Sequence, residues 1–144
     1  MTPIVLFLLM LLAHIIEDFH LQGRMADMKQ RRWWEDAIWS SVQHLTFMED
    51  RNAEFRRQIG QYRYDYLSVL ILHGFEWAIC VSIPVFFYTG FEPSAAYMIA
   101  MIIMAFAHSL VDHLKCNMFE INLVYDQAIH IAQVVALWAM ALVI

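Results

Sequence analysis

The sequence predicts an all-α fold, a polytopic membrane protein built as a four-helix transmembrane bundle with an amphipathic helix in its cytoplasmic loop. Hydrophobic residues make up 61% of the 144 residues and charged residues 16%. Soluble domains average about 45–50% apolar and about 25% charged residues. The chain has only 4 Gly and 3 Pro, so a turn-rich β architecture is disfavoured. This composition also argues against a disordered chain and against a coiled coil.

Four apolar segments have the length that a transmembrane helix needs, about 20 residues for about 30 Å of hydrocarbon. They cover residues 3–21, 66–88, 95–114 and 121–144. The first segment lacks a basic leading region and a small-residue cleavage site, so we interpret it as a permanent span rather than a signal peptide. The short links between the last three spans predict antiparallel hairpins. Residues 1–144 therefore form a single transmembrane domain.

The loop between the first two spans, residues 22–65, carries the positive charge of the chain. Eight of the nine Lys and Arg residues lie between Arg24 and Arg63. The positive-inside rule places this basic loop in the cytoplasm and both termini on the opposite side. Membrane lipids are the expected partners, and no feature of the sequence supports binding to nucleic acid. An oligomer is compatible with the composition.

The loop also contains an apolar stripe. Trp34, Ile38, Val42 and Leu45 recur at four- and three-residue spacing, which predicts an amphipathic helix from about Trp34 to Arg57. Two interpretations are open. The helix lies in the membrane interface, where its Trp residues would sit at the headgroups, or its apolar stripe packs on the bundle.

Each span contains ionisable residues, which are rare in membranes because a charge at the bilayer centre costs at least about 2.5–3.5 kcal/mol. Three pairs share an i,i+4 spacing and so point from one helix face: His14/Asp18, His108/Asp112 and Asp126/His130. His73 and Glu76 lie in the second span, and Glu17 adjoins Asp18 in the first. Antiparallel threading brings all these residues to the loop side of the membrane, in one layer.

Imidazole nitrogens and carboxylate oxygens are ligands of zinc, manganese and non-haem iron. We therefore expect a divalent metal, zinc or manganese first. The candidate ligands are His14, Asp18, His73, His108, Asp112, Asp126 and His130. Glu17 and Glu76 are the candidate catalytic residues, since either could act as general base to a metal-bound water. Two other interpretations use the same layer: a metal-free His–Asp hydrogen-bond network that holds the helices in register, and a proton or ion path.

The motifs resemble a family of small four-span membrane proteins of unknown function from bacteriophages and bacteria. The resemblance covers all four spans in order and departs from the family in the long charged stretch 35–63. Its motifs are His14-x-x-x-Asp18-Phe19-x-Leu21-Gln22, His108-x-x-x-Asp112-x-x-Lys115 and Asp126-Gln127-x-x-His130. It implies that Gln22, Lys29, Lys115 and Gln127 belong together with the His and Asp positions, and that the setting is a phage or bacterial inner membrane. We take these four residues as the candidate substrate-binding residues.

Two functional hypotheses follow from these residues. In the first, the protein is a metal-dependent membrane hydrolase that acts on a lipid or lipid-linked phosphate, and Lys29 and Lys115 meet that phosphate at the cytoplasmic mouth of the site. In the second, it is a non-enzymatic factor that binds and modulates a host or phage membrane protein, for example in superinfection exclusion. Ion or proton translocation is a further alternative.

Overall fold

The computed structural model describes residues 1–143, and all regular structure in that range is helical. Helix α1 continues directly into one π-helical turn, Glu17–Leu21. The seven α-helices are α1 (Pro3–Ile16), α2 (Met25–Met28), α3 (Arg31–Ser41), α4 (Met48–Gln61), α5 (Asp65–Tyr88), α6 (Ala95–Cys116) and α7 (Leu123–Leu142). The predicted all-α fold is confirmed.

Four of these helices are long and apolar enough to cross a membrane: α1 with its π-helical turn, α5, α6 and α7. At the ends that the structure describes, the bounds of these helices differ from those of the predicted spans by two residues at most. Ile144, the last residue of the fourth predicted span, lies outside the described residues. Many apolar side chains point away from the bundle, including Ile4, Leu72 and Ile103, which are 70%, 62% and 58% exposed. Such a surface suits lipid rather than water.

Short polar side chains begin three of the membrane-length helices. The Oγ1 atom of Thr2 accepts a hydrogen bond from the Val5 amide at the start of α1, where Pro3 fits the first turn. Ser94 accepts from the amide of Tyr97 at the start of α6. Asn122 begins α7 by accepting from two backbone amides, 3.0 and 3.1 Å away. These side chains satisfy amides that have no partner within the helix.

The four long helices pack in a ring, in which α5 lies between α1 and α6, and α7 closes the ring against α6 and α1. Two levels of the bundle differ in chemistry, and we name them for what they bury. The apolar half comprises Leu6, Met10, Ala78, Val81, Val85, Tyr97, Met101, Ala105, Val134, Leu137 and Ala141. The polar layer comprises His14, Glu17, His73, His108, Asp112, Asp126 and His130, each at most 1% exposed. Trp77 contacts both levels.

The predicted single loop helix from Trp34 to Arg57 is wrong, because the structure divides it into α3 and α4 with a turn at residues 42–47. The turn lets α4 fold back on α3, so that the rings of Trp39 and Phe55 meet edge to face with centroids 5.2 Å apart. The Arg51 guanidinium donates to the Leu45 carbonyl at 2.8 Å and so satisfies a backbone group of the turn. The stripe itself faces protein, since Ile38 and Val42 are buried.

Candidate metal centre in the helix bundle

His108, Asp112 and His130, which we call the buried triad, lie at the centre of the polar layer. One ligand atom from each lies within 4.8 Å of the other two, and all three residues are buried. His108 and Asp112 are one turn apart on α6, and α7 brings His130 Nε2 to 3.4 Å from Asp112 Oδ1. The rings of His108 and His130 are stacked with centroids 3.9 Å apart.

Gln133 determines which nitrogen of His130 is free. The Gln133 Oε1 atom lies 3.1 Å from His130 Nδ1, and because a carbonyl oxygen only accepts, Nδ1 carries the proton. Nε2 then points at two carboxylate oxygens, Asp112 Oδ1 at 3.4 Å and Asp126 Oδ1 at 3.3 Å. Three lone-pair atoms in this arrangement require a shared cation, either a proton or a metal ion.

His73 enters the polar layer from α5 because α5 and α6 approach closely at the next residue, Gly74. A Cβ atom there would collide with Ser109 Oγ and the Ala105 carbonyl oxygen of α6. The close approach places His73 Nε2 3.2 Å from both His108 Nε2 and Asp112 Oδ2. Two ligands of a tetrahedral metal with bonds of about 2.0–2.1 Å lie about 3.3 Å apart, so this spacing suits a metal site as well as a hydrogen bond.

Glu17 and Glu76, which we call the glutamate pair, lie near the same histidine, and Glu17 faces its other nitrogen. Glu17 is fully buried, and its Oε1 lies 3.2 Å from His73 Nδ1. Glu17, His73 and Glu76 each offer a ligand atom within 4.8 Å of the others. Asp18 forms a similar group with His73 and His108. Glu17 continues the buried face of α1, three residues after His14. A π-helical turn begins at Glu17, and such turns are frequent at functional sites.

The four predicted substrate-binding residues all hydrogen-bond to aspartates. Gln22 donates to Asp18 at 2.5 Å, and Gln127 donates to Asp18 at 2.6 Å and to Asp126 at 3.1 Å. Lys115 Nζ lies 2.6 Å from Asp126 Oδ2, and Lys29 Nζ lies 2.5 Å from Asp112 Oδ2.

Lys29 was expected at the mouth of the site, in contact with a lipid phosphate, and this position is wrong. Its side chain is 9% exposed and points at Asp112, because the segment after α2 folds over the end of α6. Asn117 holds this segment: its amide donates to the Lys29 carbonyl at 3.0 Å and its Oδ1 accepts from the Arg31 amide at 2.7 Å. Lys29 therefore balances the charge of the buried triad.

His14 and Asp126, two of the predicted ligands, lie outside the three metal-compatible groups found in residues 1–143. Trp77 Nε1 donates to His14 Nδ1 at 2.9 Å, which occupies the lone pair that a metal would use. Trp77 also stacks on His108 with ring centroids 4.4 Å apart. Neither Trp77 nor Gln133 was predicted as a site residue, although each lies one helical turn after a predicted histidine.

Several buried polar atoms of the polar layer have no hydrogen-bond partner among the described residues. Buried polar groups in folded proteins are nearly always hydrogen-bonded, so unpartnered atoms mark a place for a ligand or ion. The atoms are both carboxylate oxygens of Glu17, Nδ1 of His73, Nδ1 of His108 and Oδ1 of Asp126. This donor set is nitrogen and oxygen without thiolate, which suits zinc or manganese.

Comparisons of the chain with models of known protein families, with curated proteins and with solved structures found no match. The function of the site therefore has to be argued from its residues.

Proposed function

We propose that this protein is a membrane-embedded, metal-dependent hydrolase whose substrate is a phosphate ester of a lipid or of a lipid-linked headgroup. The observation that carries the proposal is the buried triad: His108, Asp112 and His130 present three nitrogen and oxygen ligand atoms within 4.8 Å of one another inside the bundle. Three protein ligands leave one position of a tetrahedral metal open, which is the pattern of catalytic rather than structural sites.

A divalent metal bound there lowers the pKa of a bound water and polarises a phosphoryl oxygen. The residues of this chain prepare the position for it. Gln133 accepts the Nδ1 proton of His130 at 3.1 Å, so that Nε2 is the nitrogen that would bind the metal. Lys29 occupies Oδ2 of Asp112 and leaves Oδ1 for the metal.

The substrate would approach from the half-buried side of the layer, where Asp18, Lys115 and Gln127 lie. Lys115 has 31% of its side chain exposed and is the cation best placed to meet a phosphate. Exposed apolar residues flank this side, including Phe19 at 57% and Val124 at 75%. A phosphate attached to an acyl or prenyl chain matches a charged group beside an apolar surface.

The test is metal content and phosphate release measured on the same preparations. Protein in detergent micelles, stripped with chelator and reloaded with Zn²⁺ or Mn²⁺, is expected to retain metal and to release phosphate from phosphatidic acid or a prenyl phosphate. His108→Ala and His130→Ala should lose both properties. His44→Ala is the matched control, because His44 is exposed on the loop and should keep both. The proposal would be overturned if wild-type protein bound no ion after reloading and had the same thermal stability before and after treatment with chelator.

A second candidate function rests on the loop. The hairpin of α3 and α4 exposes Trp33, Trp39, Phe47 and Met48, which are 38%, 38%, 70% and 60% exposed. Aromatic and Met side chains are enriched at protein interfaces, and this favours a non-enzymatic factor that docks on another membrane protein. The setting that we propose for either function is a bacterial inner membrane, in phage-infected or uninfected cells, with the basic loop in the cytoplasm. Phe47→Ser with Met48→Ser should abolish docking and leave phosphate release intact.

A further inference from the structure

Glu17 and Glu76 differ from the other carboxylates of the bundle in what neutralises them. Asp112 has Lys29 and Asp126 has Lys115, at 2.5 and 2.6 Å, and Asp18 accepts from two Gln side chains. For the glutamate pair, the described part of the chain supplies no Lys or Arg within 4.0 Å. Glu17 is fully buried and Glu76 is half-buried, and a buried carboxylate without a compensating charge is strongly unfavourable in a low-dielectric interior.

The atoms of this cluster are also arranged as ligands rather than as hydrogen-bond partners. Glu17 Oε1 and His73 Nδ1 lie 3.2 Å apart, yet among residues 1–143 neither atom has a hydrogen bond of acceptable geometry, and Glu17 Oε2 has no partner there either. Glu17 and His73 are both fully buried, so bulk water does not reach these atoms to act as their partner. Adjacent oxygen and nitrogen ligands of an octahedral metal lie about 3 Å apart when both bonds are about 2.0–2.2 Å.

We propose that Glu17, His73 Nδ1 and Glu76 form a second divalent-cation site beside the buried triad, with Mn²⁺ as the preferred ion. Two carboxylates and one imidazole suit Mn²⁺, and the ion supplies the positive charge that the glutamate pair lacks. With Nδ1 on this ion, the proton of His73 resides on Nε2, which donates toward Asp112 Oδ2 at 3.2 Å. His73 is then a ligand of the second ion and a hydrogen-bond donor to the first centre.

This proposal deepens the metal centre proposed above, and it does not require that the reaction be hydrolysis. It replaces the general-base role predicted for Glu17 and Glu76 by a ligand role. A competing arrangement is that Glu17 only orients His73, whose Nε2 would then join the buried triad as a fourth ligand of a single ion. Glu76 has no part in that arrangement, so variants of Glu76 separate the two.

The experiment counts ions per chain. Metal-free protein in detergent micelles is dialysed against excess MnCl₂, freed of loose ions and analysed by elemental mass spectrometry. Wild type is expected to hold two Mn²⁺ per chain, Glu76→Gln one, His130→Ala one, and the double variant none. Glu92→Gln is the matched control, because Glu92 is exposed in the link before α6, and it should hold two. Gel filtration confirms that each variant is folded, and Glu17→Gln serves as the second variant should Glu76→Gln misfold.

The outcomes distinguish the two proposals. One ion in wild type that survives Glu76→Gln and is lost in His130→Ala overturns the second site and leaves the buried triad standing. One ion that is lost in Glu76→Gln and survives His130→Ala supports the second site and overturns the first centre. A wild type without bound Mn²⁺ overturns both. Two ions that survive both Glu76→Gln and Glu17→Gln overturn the assignment of these ligands.

Discussion

The apolar half and the polar layer are built from the same four helices, yet they are specified differently. In the apolar half, residues such as Leu137 and Val81 need only a matching shape. In the polar layer, each buried group also needs a partner of the right charge and at the right distance, as Asp112 finds in Lys29. The apolar half therefore tolerates conservative changes, whereas the polar layer depends on named pairs.

The largest expected effect comes from removing one member of such a pair. Lys29→Ala leaves Asp112 buried without its cation, and breaking a buried ion pair in this way costs about 3–5 kcal/mol. Unfolding in detergent by denaturant, followed by circular dichroism, measures the loss. Added Zn²⁺ should restore more stability to this variant than to wild type, since a metal ion then supplies the missing charge.

Arg32→Ala is the control for Lys29→Ala. Arg32 forms only an exposed ion pair with Asp36, at 3.7 Å, and 83% of its side chain is exposed. Exposed pairs contribute little to stability, so the free energy of unfolding should stay unchanged. Equal effects of the two substitutions would show that Lys29 is not a partner of the buried triad.

The next effect belongs to the apolar half. Leu137 is fully buried, and Leu137→Ala should cost about 2–5 kcal/mol through lost contacts and a cavity. The comparison predicts that this variant keeps its full complement of bound metal, because no metal-compatible group among residues 1–143 includes it. Loss of metal at preserved fold in Leu137→Ala would mean that the two levels are coupled rather than separate.

Sequence patterns predict the apolar half more completely than the polar layer. Hydropathy located all four membrane-length helices, and the i,i+4 spacing with antiparallel threading brought His108, Asp112 and His130 together. Glu17 was placed in the layer from the sequence, and its burial follows the regular spacing of the buried face of α1, three residues after His14. The burial of Lys29 was not predicted because its position depends on Asn117, which lies 88 residues away in the sequence. The catalytic and substrate-binding roles stay predictions.

The smallest expected effect concerns Trp77, which joins the two levels. Trp77→Phe removes the N–H that binds His14 Nδ1 at 2.9 Å and keeps an aromatic ring against His108. An unsatisfied buried acceptor costs about 1–3 kcal/mol.

The matched change in the apolar half is Tyr97→Phe, which removes a 2.9 Å hydrogen bond to Ser82. Hydrogen bonds between membrane helices contribute about 0.6 kcal/mol on average, and Ser82 can turn its hydroxyl toward its own helix. Trp77→Phe should therefore cost more than Tyr97→Phe in the same unfolding experiment, while both variants retain their metal. If the two substitutions lower the free energy of unfolding equally, a lost hydrogen bond is no more damaging in the polar layer than elsewhere in the bundle. The two levels would then differ only in their charged pairs.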